Sequence, residues 1–262
     1  MLTMVFTNLW CALLMCLPLY TRATAVEIWM KVESPTGELV DGMILSAGGL
    51  EKWRTNKEGQ VNVTVRDPLI HANGGESDGF DFIITGKKEL YPTLAIFGRV
   101  PGPDASAVLS PFRYTTFIGT RAEQRALGAI IGLPYDSSLG YIVVGMDVMD
   151  DPALGLTPSN LSPAVGASAY IEGIESADGS DSAFVFAPGP VGGHEVLPRG
   201  SSFVTFPNMV PGTEGTVVVV PPDGMSCRLS PDVLASGDVV AAVQAFPDAV
   251  SVVSYVCVRN TH

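Results

Sequence analysis

Histidine is scarce in this chain: His71, His194 and His262 are the three present among 262 residues. Seryl or cysteinyl hydrolysis needs a histidine base and an acid to orient it. His194 has Glu195 beside it, but neighbours on an extended chain point apart, so His194 reads as a loop residue. The signatures GxSxG, HExxH, the P-loop and the dinucleotide-binding glycine fingerprint are all missing. No enzymatic activity is therefore expected. Charge is thin, at 16% of residues, and positive charge thinner, with 15 Lys and Arg against 27 Asp and Glu. A net charge of −12 repels a phosphate backbone and an anionic membrane surface, which excludes nucleic acid as a partner. The acidity either keeps the protein soluble or offers a surface to cations. Cysteine occurs four times, with no CxxC spacing and no adjacent His, so zinc and redox motifs are absent.

What is plentiful points to strands. Apolar residues make up 47% of the chain, and 28 Gly and 20 Pro supply turns. Residues 1–25 read as a signal peptide. The apolar run "MVFTNLWCALLMCLPLY" ends at Ala23-Thr24-Ala25, a small-x-small cleavage pattern, although no Lys or Arg precedes the run. An uncleaved anchor is the alternative, but the run is short for a span of about 20 residues. Cleavage removes Cys11 and Cys16 and leaves Cys227 and Cys257. In an exported chain these two either bond to each other or stay as buried thiols. The bond would close a loop of about 30 residues, worth roughly 3–4 kcal/mol in the chain-entropy account.

One phrase appears twice. "ESPTGELVDGMILSAGG" (Glu33 to Gly49) is followed by "TNKEGQVNVTV" (Thr55 to Val65). "LSPAVGASAYIEG" (Leu161 to Gly173) is followed by "LPRGSSFVTFPNMVPGTEGTVVVVPP" (Leu197 to Pro222). Each is a polar turn, a strand, then a Gly turn into an alternating strand. Strand signals recur every 8–15 residues with Gly/Pro turns between them. "VEIWMKVES" alternates apolar and polar, whereas Tyr141 to Met149 is almost continuously apolar. One helix is expected, at 121–131. Thr120-x-x-Glu123 spells a capping box, Gly132 suits the C-terminal cap, and Pro134 forbids continuation. Its stripe of Ala122, Ala126, Leu127, Ala129, Ile130 and Ile131 is expected to pack as core.

The quoted phrases resemble the carboxypeptidase regulatory-like and transthyretin-like (prealbumin-like) β-sandwich domains of exported bacterial proteins. The resemblance rests on "GELVDGMIL" and "TNKEGQV" in the first half, and on "PAVGASAYI" and "FPNMVPGTEGTVVVVPP" in the second. Domain 1 departs from it by Met43 where a small Ala is usual and by lacking a Pro-Gly turn before its fourth strand. The resemblance implies non-catalytic modules for stability, spacing, adhesion or carbohydrate binding. The intradiol dioxygenases share the sandwich and hold iron with two Tyr and two His; the first half of this chain has His71 alone, and the second pairs His194 only with the final residue, His262, so that chemistry is not expected.

The expected fold is all-β, with two tandem Greek-key β-sandwiches joined by one short helix. The expected order is a leader at 1–25, a sandwich at 26–105, a connector at 106–138 and a second sandwich at 139–262. Trp29 and Trp53 fall on the polar register of their strands, and with Tyr91 they make a candidate carbohydrate-binding set; burial by a bulge or a covering helix is the other reading. Asp147, Asp150 and Asp151, and Glu175, Asp178 and Asp181, are candidate calcium ligands, or else solvated turns. No cofactor is expected, calcium apart. The expected setting is secreted, periplasmic or cell-surface, with no stable membrane insertion once the leader is gone and an extracellular protein or glycan as partner. The function expected is an adhesion, scaffold or glycan-binding module; the alternative is an accessory or regulatory domain pair for a secreted hydrolase.

Overall fold

A computed structural model describes residues 25–48, 51–66, 79–101, 112–150, 160–179, 182–187, 189–230 and 241–260. The leader, His71, Asp151 and Asp181 lie outside these residues. The chain is all-β, two β-sandwiches, and among the described residues it has seventeen strands and one short helix. A long sheet of eleven strands runs through both sandwiches. Its main path is β12 (Pro190–Gly192), β11 (Phe184–Phe186), β13 (Phe203–Met209), β8 (Gly140–Met149), β17 (Ala249–Arg259), β6 (Thr93–Pro101), β5 (Gly79–Lys87), β2 (Ile44–Ala47) and β3 (Glu51–Arg54). Two more strands lie off the path: β15 (Met225–Leu229) pairs with β17, and β9 (Leu161–Pro163) pairs with β8. One three-stranded sheet, β4 (Gln60–Arg66), β1 (Ala25–Glu33) and β7 (Phe112–Phe117), covers the first core. Another, β10 (Ser168–Glu172), β14 (Glu214–Val220) and β16 (Ala241–Gln244), covers the second.

The two cores lie on opposite faces of the central strands β6, β17 and β8. Side chains alternate along a strand, so neighbouring residues there serve different cores. Leu94, Val250 and Tyr141 stand in one cross-strand row and belong to the first core. In the next row Ala95 and Ile142 face the second core, with the buried Ser251 between them. Ile96, Val252 and Val143 return to the first, and Phe97, Val253 and Val144 to the second. β17 runs parallel to both β6 and β8. Parallel strands buried on both faces read as continuous apolar runs. That is why "AVSVVSYVCV" and "GYIVVGMDVM" lack the alternation of "VEIWMKVE". β6 covers one edge of β17 only as far as Val253; β15 takes over that edge from Tyr255 onward, running antiparallel.

Three expectations change. The last strand lies between strands from both halves, so the long sheet crosses the boundaries at 105 and 139. The segment 106–138 holds a strand besides its helix: β7 pairs in parallel with β1, because Tyr114 and Thr116 alternate inward onto the first core. The helix, α1 (Arg121–Ile131), keeps the expected bounds and the expected capping box. Its apolar stripe, however, does not pack: Ile130 is 70% exposed, and Gly128 is the one buried helix residue. A Cβ on Gly128 would sit 2.5 Å from the Leu133 carbonyl oxygen, so the chain leaving the helix folds back closely against it. In β13, Pro207 sits in a register shift between Phe206 and Met209, with Asn208 at φ 53. A bulge is where a proline fits inside a sheet.

Candidate functional site

Basic side chains gather where β5 turns into β6. The turn runs Lys88-Glu89-Leu90-Tyr91-Pro92. Leu90 has φ 69, a left-handed conformation that costs a bulky residue about 1 kcal/mol. Two hydrogen bonds hold it there: the Tyr91 amide donates to the Lys88 carbonyl at 3.2 Å, and the Arg121 amide to the Leu90 carbonyl at 2.9 Å. Asp248, which precedes β17, also has positive φ, at 49. Its carbonyl accepts from the Thr93 amide at 2.8 Å, tying the starts of β6 and β17 together.

The Asp248 carboxylate is a junction. Arg121 Nε donates to its two oxygens at 2.9 and 3.0 Å, Arg121 Nη2 donates as well, and so does the Tyr135 hydroxyl. Arg121 holds the Asp248 carboxyl below the usual carboxylate range. Burial, then the same carboxylate, pushes the Tyr135 phenol up. This cluster pins the first turn of α1 to the entry of β17.

Above it lies an open cleft of about 640 Å³, lined among others by Ile44, Arg54, Lys87, Lys88, Tyr91 and Arg121. Lys88 Nζ lies 5.2 Å from the centre of the Tyr91 ring, within cation–π range. Burial, followed by the charges of Glu123 and Glu38, raises the Tyr91 phenol. Cations beside an aromatic ring bind anions. His194, the histidine among the described residues, belongs to the second sandwich. There its Nδ1 donates to the Ala169 carbonyl at 2.8 Å and its ring stacks on Tyr170 at 4.7 Å. That geometry gives it a packing role.

The expected site residues separate in space. Cys227 and Cys257 are bonded, facing each other across β15 and β17 inside the second core. Trp29 is half-buried on the outward side of β1, opposite Asn62 and Arg113. Trp53 lies opposite the fully buried Leu45 and packs against the first core. The polar register assigned to Trp53 is therefore corrected, because Lys52 and Arg54 take the outward positions of β3. The two indoles stand in different sheets and form no common platform. Tyr91 is half-buried in the cleft. Asp150, Glu175 and Asp178 are exposed and Asp147 is half-buried. Among the described residues no group of three His, Cys, Asp or Glu side chains is placed to hold a metal. The Arg121–Asp248–Tyr135 cluster escaped the sequence. Nothing local ties Arg121 to Asp248 across 127 positions.

No helix among the described residues is long and apolar enough to cross a membrane. No protein-family model matches the chain, and no curated protein matches it in sequence. Similar solved structures include the minor pilin GBS52 of Streptococcus agalactiae, 9% identical over 90% of this chain and 97% of that one, with a TM-score of 0.28. The shaft pilin SpaA of Lactobacillus rhamnosus GG is 9% identical over 92% and 99%, with a TM-score of 0.27. The Bacillus anthracis TIE protein is 8% identical over 90% of this chain and 34% of its own, with a TM-score of 0.24. These likenesses are loose, and the functional reading rests on the molecule's own residues.

Proposed function

We propose that this protein works outside the cytoplasm as a non-catalytic module, in an adhesion or scaffold role. The Cys227–Cys257 bond carries the reading. Disulfides form and persist in oxidising compartments, and this one is buried in a sheet that both sandwiches share. The cleft supports it too: its cations, phenol and apolar rim can hold a partner. The likeness of the turn-and-strand phrases to carboxypeptidase regulatory-like and transthyretin-like modules agrees with a non-catalytic role. The test is fractionation of the natural source, with free thiols alkylated at lysis and the peptides weighed by mass spectrometry. Recovery outside the cytoplasm with Cys227 and Cys257 protected is expected. A cytosolic protein with both thiols alkylated would overturn the reading.

A further inference from the structure

We propose that the outward face of β3, β2 and β5 is a docking surface for an acidic polypeptide segment that carries an apolar side chain. The proposal rests on the reading of the protein as a binding module and assigns that binding to one surface. Register places the residues. Arg54, Ile44 and Lys87 form one cross-strand row, and Lys52, Ser46 and Thr85 form the next. Leu45, between those rows, is fully buried on the opposite face, so both rows point away from the first core. Lys52, Arg54 and Lys87 are exposed, and Lys88 follows in the turn. Glu89 is the acid among the residues lining the cleft.

This cationic face stands out on an acidic protein. Residues 26–138 carry 11 basic and 14 acidic side chains, whereas residues 139–262 carry 3 and 13. Arg54 and Lys87 flank a single Ile, two strand spacings or about 10 Å apart. Charge complementarity calls for carboxylates. Apolar contact is offered in the same place: Ile44 is 38% exposed within the row, and Leu90 is 69% exposed on its strained turn at the cleft. An exposed leucine held in a left-handed conformation is useful to a ligand that buries it. A sulfated sugar would satisfy the cations but has no apolar side chain to place against Ile44 and Leu90.

The experiment uses the oxidised protein and a fluorescein-labelled peptide of alternating Glu-Glu-Leu triplets, read by anisotropy in low and high salt. Binding that weakens with salt is expected, because exposed charges are screened. Arg54→Glu/Lys87→Glu should weaken it tenfold or more, and Arg199→Glu/Arg259→Glu, an equivalent charge change at two exposed positions of the second half, should not. Exchanging Leu for Ser in the peptide should weaken binding severalfold. Circular dichroism confirms that each variant is folded. Equal binding by the double variant would overturn the proposal. So would preference for a sulfated glycosaminoglycan fragment over the peptide, or self-association of the protein alone that the double variant abolishes. Failure here leaves thiol protection and location untouched, so it is separable from failure of the broader reading.

Discussion

Asp147 sits on β8 beside Val256 of β17, and burial pushes its carboxyl up to about 6 against a partial offset from Ser202. A raised carboxylate pKa means that the folded state binds the proton more tightly than the unfolded chain does. The stability from this group is therefore present below the ordinary carboxylate pKa and is lost as pH rises through about 6. A rise of about 2 pKa units corresponds to ~3 kcal/mol. Asp147→Asn should match the wild type near pH 4 and exceed it by up to ~3 kcal/mol at pH 7, measured by urea unfolding at both values. A constant difference across that range would show that Asp147 is not desolvated. The sequence exposed Asp147 as an acid on an apolar strand but gave it to a calcium cluster. Its neighbour across the sheet comes from a strand more than a hundred residues away. Trp53 was misplaced for a related reason, since the polar neighbours Glu51, Lys52 and Arg54 on a short strand do not reveal which face meets the core.

At the scale of elements, α1 was legible to the residue because its signals are local. The Glu123 amide donates to the Thr120 hydroxyl, the Thr120 amide donates to the Glu123 carboxylate, and Gly132 turns left-handed at φ 75. What the helix touches was not legible, because its long-range tie runs through Arg121 to Asp248 rather than through its apolar stripe. Alanine is the better helix former by about 1 kcal/mol, so propensity alone predicts that Gly128→Ala stabilises. The close approach predicts the reverse. A methyl group 2.5 Å from the Leu133 oxygen must move the 133–135 segment at a cost of about 1–3 kcal/mol, leaving a net loss of up to about 2 kcal/mol after the propensity gain. A fall in Tm is expected; a rise would mean that this segment yields freely. The strands followed the same rule as the helix. Their positions were readable from alternation and turns, and their partners were not: β3 and β4 flank one turn yet enter different sheets.

The whole molecule is bound together by rows such as Leu94–Val250–Tyr141, whose neighbours on the same strands serve the other core. We expect the two cores to lose stability together. Reducing the Cys227–Cys257 bond, which lies in the second core, should lower amide exchange protection by about 3 kcal/mol there and comparably in β1 and β4 of the first. Loss confined to β14, β15 and β16 would show two independent units. The same arrangement sets an order in time. β17 follows both β6 and β8 in the sequence, and its seat lies between them. During synthesis those two strands exist, apolar on both faces and open along the edges that will receive it, while the rest of the chain is still being made. At roughly 5–20 residues per second, the 100 residues from Met149 to Ala249 represent a delay of some five to twenty seconds. For that interval any extended apolar segment is a competitor for the seat, and a nascent chain of this design depends on being kept unpaired until its own last strand arrives.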